Sequence, residues 1–456
     1  MKAAFCTLFP SNRKLFLVGF IAFLSFMVAE TMNYYYIDTG DYPRVVSGIL
    51  NYHLPTQRSN FHLLEIKDQF SRFEYFSSYT VMLYGLTWLT RFFSEIFNIK
   101  ILATALKISY IIVLFQIYSF YFKEKNLLSL AVFILASLPL LSSANLGIFS
   151  SFYQEQVVLI FLPLLLIGFL SGSMKGFFLS LLSILIIATA KSQFFYLPTL
   201  ALFFYFLFSR EGILKKSILL IIVQIIAAYT AFSSTEAVNL NKYHSEYFGL
   251  YQYQKMNGKN IDEAADPDCI GVDAWGHKFD VDRGAVGTDI GQECIAKHPH
   301  SSHKKIILYF LKNPMDLFSL LTDQAINRQV RENYFHVYYN EKIVVDKSDI
   351  FQKIKNAKDI IFLDKKLILL FLIFIFSTFF RKSDYAKLML FLSSFALSQL
   401  YISFLGEGYR DLAKHLFALN VSFDLILFLL FIALASWIRK KLSGHSGVAT
   451  GQELCR

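Results

Sequence analysis

The chain has 456 residues and a net charge of +10; 55% of it is hydrophobic, 17% aromatic (49 Phe and 26 Tyr among them) and 17% charged. An ordinary soluble domain carries about 25% charged residues, so a protein that faces water on all sides is excluded. The basic excess sits in short clusters between apolar runs, which suits the bias of cytoplasmic loops toward Lys and Arg and excludes a nucleic-acid surface.

In chain order, the first apolar run, Leu15 to Met32, has no small-residue cleavage site before Asp38 and reads as a retained helix. Placing Lys2, Arg13 and Lys14, Lys123 and Lys125, Arg210, Lys215 and Lys216, Arg381, Lys382 and Lys387, and Arg439 to Lys441 inside the cell fixes the path. The expected helices are 15–33, 101–122, 127–144, 149–170, 174–190, 193–208, 215–234, 366–380, 386–404 and 416–437. The predicted fold class is therefore an all-α polytopic membrane protein of about ten transmembrane helices with both termini cytoplasmic. The apolar stretch 77–97 is interrupted by Arg91 and Glu95, and a crossing there would invert every later loop. It reads as a re-entrant or surface-lying helix.

This path gives three regions: 1–234, with a first external loop at 34–100; a large external segment, 235–365; and the C-terminal helices and tail, 366–456. The segment 235–365 reads as loop-rich, punctuated by Gly258, Pro267, Gly271, Gly284, Gly287 and Gly291, with an amphipathic helix from Lys304 to Ala325. Tyr243, Tyr247, Tyr251, Tyr253, Trp275, Tyr334, Phe335, Tyr338 and Tyr339 suit an interfacial aromatic belt better than a row of sugar-stacking faces. Cys269 and Cys294 lie in this segment and can pair in an oxidising compartment, whereas Cys6 and Cys455 face the cytoplasm. His298, His300 and His303 read as a solvated turn.

The chemistry-bearing residues gather on the external side. Asp38, Asp41 and Arg44 follow the first helix; taken alone, the two acids read equally well as a turn or cap around Gly40. Glu155 falls about 9 Å inside its expected helix, a depth at which a carboxylate is costly unless paired or hydrated. Lys191 and Gln193 occupy another external turn, and a structural Glu155–Lys191 pair is the alternative to chemistry there. The last external turn carries Glu407, Tyr409, Arg410, Lys414 and His415, where a helix beginning at Arg410 would put Lys414 on the same face to meet a phosphate.

The acidic loop after the first helix, the segment 77–97 beside it, and the patches Phe152–Glu155, Ala190–Gln193 and Gly406–Phe417 resemble the GT-C superfamily of integral membrane glycosyltransferases. That resemblance implies a polyprenyl-phosphate-linked sugar donor and a glycan or lipid-linked acceptor. The setting would be a bacterial inner membrane, with the site facing the periplasm. It implies Asp38 or Asp41 as catalytic base, Arg410, Lys414 and His415 at the leaving phosphate with Arg44 or Lys191 in reserve, and Glu155 and Gln193 on sugar hydroxyls. A divalent cation bridging Asp38 and Asp41 is compatible with such carboxylates, but the superfamily has metal-using and metal-free members, and no cofactor is assigned. A polysaccharide polymerase or ligase using arginines of 235–365, and a flippase without covalent chemistry, are the competing expectations.

Overall fold

The computed structural model describes residues 13–36, 41–52, 63–208, 211–233, 235–282, 284–332, 343–344 and 348–444. Asp38 therefore lies outside the described residues, as do Lys2, Cys6, Arg210, Tyr334, Phe335, Tyr338, Tyr339 and Cys455.

The chain is mostly helical. Six helices are long and apolar enough to cross a membrane: Arg13–Thr31, Ile99–Tyr121, Gln154–Ser171, Ile213–Phe232, Asp384–Glu407 and Phe417–Lys441. A pair bent by 75°, Leu127–Leu141 with Ser143–Ser150, makes a seventh if it is one broken span. Met174–Ala190, Ser192–Phe208 and Lys366–Phe379 are apolar but shorter. The expected helices are thus all present as elements, but about ten crossings is more than length and composition establish.

Local chemistry explains the ends. Asn98, Asn126 and Ser173 each accept a backbone N–H in the first turn of the helix they precede, satisfying a donor that the helix itself leaves open. Gly172, at φ +62°, ends Gln154–Ser171 in the left-handed conformation that glycine adopts without penalty. The sharp bend after Leu141 follows a 3₁₀ turn containing Pro139, and Ser142 caps the next short helix.

This break corrects one expectation. Glu155 is not a full turn inside a helix but sits in the 3₁₀ turn Gln154–Gln156 that begins Gln154–Ser171. The loop after the first helix contains the helix Ser78–Arg91, whose 14 residues span about 21 Å, too short for a hydrocarbon core of about 30 Å. Its ends are closed by antiparallel pairing of Leu63–Glu65 with Ile96–Asn98, and Ser78 donates to the Ile186 carbonyl. The strand Tyr35–Tyr36 pairs with Ile343–Val344, stitching the exit of the first helix to the large segment.

That large segment is more helical than the glycines suggested. Thr235–Tyr243 runs into a buried π-helix, His244–Leu250, and then Tyr251–Met256. Tyr243, Tyr247, Tyr251 and Tyr253 are its core, not an interfacial belt. The helix expected over 304–325 is broken: His303–Lys312 stops at Asn313, and Pro314 begins a separate short helix. Cys269 and Cys294 form a disulfide.

The large segment docks on the bundle through a glycine pair. Gly408, at φ +65°, follows Asp384–Glu407, and a Cβ built there would lie 2.4 Å from the Gly249 Cα and N. Gly408→Ala should cost at least about 1–3 kcal/mol from backbone strain alone and lower the unfolding temperature of the detergent-purified chain. An unchanged transition would mean the backbones are not held this close.

Candidate functional site

Asp41 precedes the short helix Tyr42–Val46, whose second residue is Pro43. Its side chain makes no cap bond, so the bland reading of this acid as a helix cap is not what the fold uses. Instead Oδ1 accepts from Arg44 Nη2 at 3.0 Å, and Oδ2 forms an ion pair with Lys414 from the other end of the chain. Burial disfavours the charge, but Lys414, Lys191 and Arg44 outweigh it and hold the carboxyl well below the usual range. The Tyr42 ring packs edge-on against Phe152 and Tyr153, 5.4 and 5.1 Å away. The first loop is thereby fixed to the stretch that carries Glu155.

Glu155 is fully buried and ion-paired with Lys191. Its neighbours hold the turn in place: Gln154 donates to Ser77 Oγ, and Gln156 to the Tyr79 hydroxyl. The Lys191 ammonium loses hydration on burial, yet Glu155 and Asp41 raise its pKa above the ordinary value. Gln193 reaches the last turn, with Oε1 2.5 Å from His415 Nδ1. The other His415 nitrogen lies 3.1 Å from Glu407 Oε2. Both ring nitrogens therefore face side-chain oxygens.

Arg410 does not begin a helix, contrary to the expectation. Asp411 adopts a left-handed φ of +46° and the helix starts at Leu412. Arg410 is held instead by the large segment: Nε donates to Asp273 Oδ2 at 2.8 Å, Nη1 lies 3.3 Å from Asp411, and the guanidinium stacks 4.0 Å above the Trp275 ring. Asp273 also accepts from the Trp275 and His277 amides and pairs with the His277 ring at 3.0 Å. Burial pushes its pKa up, but the His277 bond and Arg410 bring it down to about 2.

These groups line one cavity of about 610 Å³, within the range of small-molecule sites. Asp41, Arg44, Glu155, Lys191, Gln193, Glu407, Arg410, Lys414 and His415 all lie on its wall. Tyr409 does not: its ring is buried and its hydroxyl donates to Asp323 at 2.7 Å, so it is a core residue and not a substrate contact. The lining also contains Glu74, Tyr75, Asn241, Trp275, His303 and Asp411, none of which the sequence marked as site residues. Four cations (Arg44, Lys191, Arg410, Lys414) face five carboxylates (Asp41, Glu74, Glu155, Glu407, Asp411), leaving the described wall near neutrality. A separate wall is apolar, formed by Phe195, Ala231, Phe232, Val238, Leu240 and Ile402.

The divalent ion considered for Asp38 and Asp41 has little support from the described member of that pair, since Lys414 and Arg44 already occupy Asp41. Among the described residues, one trio, Asp266, Cys269 and His298, has metal-ligand spacing, but the Cys269 sulfur is bonded to Cys294.

The apolar helices and this polar cavity define a multi-pass membrane protein with a built site at one end of its bundle. The family model described as the YfdI N-terminal transmembrane domain matches residues 12–451, and the chain belongs to that family. It is 35% identical over 433 residues to the "Uncharacterized protein YfdI" of Escherichia coli (strain K12), a match covering 94% of this chain and 98% of that one. No solved structure matches the chain.

The Asp273–Arg410 pair yields a stability test. Removing one partner of a buried pair costs about 3–5 kcal/mol, so Asp273→Ala should unfold at clearly lower temperature than wild type. Because the Asp273 pKa is depressed, its contribution is present above about pH 4 and is lost as pH falls through about 2. A variant with wild-type stability at pH 7 would show that the pair does not anchor the turn.

Proposed function

We propose that this chain is an integral membrane glycosyltransferase. It would move a sugar from a polyprenyl-phosphate donor to a glycan, lipid or surface-polysaccharide acceptor on the external face of the bacterial inner membrane. The observation that carries the reading is the convergence of Asp41, Glu155, Lys191, Arg410 and Lys414 from distant segments on one cavity. The GT-C resemblance of those same patches gives the reaction class.

The acceptor hydroxyl transfers its proton to an acidic carboxylate while its oxygen bonds to the anomeric carbon. The bond from that carbon to the phosphate oxygen breaks, and the electron pair leaves on the lipid phosphate. Asp41 is the described candidate for the base. Held by Lys414 and Arg44, it is a weak base. A donor phosphate that draws those cations away would raise its basicity and at the same time receive the charge stabilisation it needs. Glu155 and Gln193 supply hydroxyl contacts, and the wall formed by Phe195, Phe232 and Ile402 suits an isoprenoid chain. We read the three shorter apolar helices as crossings too, giving ten with both termini inside.

A polymerase relying on arginines of 235–365 has less support. Among the described residues, no arginine of that segment lines the cavity, and Arg328 is paired with Asp282.

Asp41→Asn should reduce sugar transfer by about 10²–10⁴-fold while the protein still reaches the membrane. The readout is mass spectrometry of surface glycans, with immunoblotting of membranes as the control. Full transfer by the variant would rule out Asp41 as the base. Single cysteines placed at positions 41 and 213, in a chain lacking Cys6 and Cys455, should be labelled from outside and inside respectively. Labelling of position 213 from outside would invert the orientation.

A further inference from the structure

A second cavity, of about 330 Å³, lies among the residues Gly168–Ser173, Phe177, Phe204–Phe208, Lys216 and Asp384–Leu388. Four helices run from it to the site described above. Gln154–Ser171, Ser192–Phe208, Ile213–Phe232 and Asp384–Glu407 each contribute to one cavity near one end and to the other cavity near the other end. The longest has 24 residues, about 36 Å of helix, so the two cavities open at opposite ends of the bundle.

The chemistry of this second cavity is cationic and aromatic. Lys216 is only 5% exposed as a residue, and its ammonium lies 5.3 Å from the Tyr205 ring centroid and 5.9 Å from that of Phe177. Lys387 lies 5.9 Å from the Phe208 centroid and 2.9 Å from Asp384 Oδ1. Asp384 is the one described carboxylate in the lining. Three helices also begin here. Ser173 caps Met174–Ala190, Lys216 is in the first turn of Ile213–Phe232, and Asp384 opens Asp384–Glu407. The last two have no side-chain cap, so first-turn N–H donors are left open there and the helix dipoles add positive character beside Lys216 and Lys387.

We propose that this cavity binds the phosphate headgroup of an anionic phospholipid in the leaflet opposite the polar site. A lipid fits better than a free anion because the flanking faces are greasy and open: Phe178 is 54% exposed, Leu207 56% and Leu214 73%. These side chains would lie along acyl tails while the ammonium groups meet the phosphate, the arrangement by which basic pockets between membrane helices select acidic lipids. The inference does not depend on the glycosyltransferase reading.

The test is native mass spectrometry of the full chain released from detergent and titrated with phosphatidylglycerol, phosphatidylcholine or inorganic phosphate. Wild type should carry phosphatidylglycerol adducts at least about tenfold more abundantly than phosphatidylcholine adducts. Lys216→Gln with Lys387→Gln should remove that preference, and inorganic phosphate at equal concentration should not displace the lipid. Lys387→Gln alone, at a partly exposed position, should weaken the preference without loss of folding. Retention of the full preference by either variant overturns the proposal. So does equal binding of phosphatidylcholine, or displacement by inorganic phosphate, which would mark a site for a soluble anion.

Discussion

A charge taken out of water must meet an opposite charge, and in this chain the partners come from segments far apart in sequence. Asp41 meets Lys414, Glu155 meets Lys191 and Arg410 meets Asp273. Each pair joins two parts of the fold: the loop after the first helix to the last turn, the start of one helix to the end of another, and the last turn to the large segment. Removing any one partner would leave a largely buried charge without its counter-charge. The pairs therefore act as fasteners, and they also gather four cations and five carboxylates on one wall. In the proposed transfer, an incoming phosphate would compete with Asp41 for Lys414, and the carboxylate that loses the contest would become the stronger base.

Not every buried charge in the bundle belongs to that chemistry. Asp424, on the last helix, accepts from Asn145 at 2.9 Å and pairs with Lys358, which also pairs with Glu332 and donates to the Pro139 carbonyl. Nearby, Lys366 donates to Asn420 at 2.6 Å. Lys358 lies on the amphipathic helix Ile350–Ile361, so this network ties the end of the large segment to the bent pair after Leu127. Lys358 thereby satisfies a carbonyl that the Pro139 break leaves without a helical donor. Among the described residues, the void that adjoins Lys366 is about 10 Å³, too little for a substrate. The contrast with the 610 Å³ cavity separates a polar fastening from a polar site.

Much of this was readable because membrane helices make polar residues conspicuous. Glu155, Lys191 and Lys414 stand beside long apolar runs, where a charge is costly unless paired; the expected Glu155–Lys191 pair is formed, and all three residues line the cavity. Asp273 was invisible for the opposite reason, being one acid among many in a hydrophilic stretch. Its only mark is the tight Asp273–Gly276 turn beside a tryptophan. Tyr409 misled because an aromatic in a polar turn gives no sign of which way it faces; here it faces Asp323. The tyrosines at 243, 247 and 251 recur at four-residue spacing, a helical core signature that the nearby glycines obscured. Pro314 and Pro139 were likewise available as breakers. The closeness of Gly249 and Gly408 was not, since no local pattern pairs residues so far apart.

The account stands or falls on whether a lipid phosphate enters between Asp41 and Lys414. A photoreactive polyprenyl phosphate, crosslinked to the full chain in membranes and mapped by peptide mass spectrometry, addresses this directly. The expected labels fall on the peptides carrying Phe152–Glu155, Phe195, Phe232 and Gly406–His415, and excess unlabelled polyprenyl phosphate suppresses them. Labels confined to other parts of the chain, or labels that excess lipid does not suppress, would contradict it.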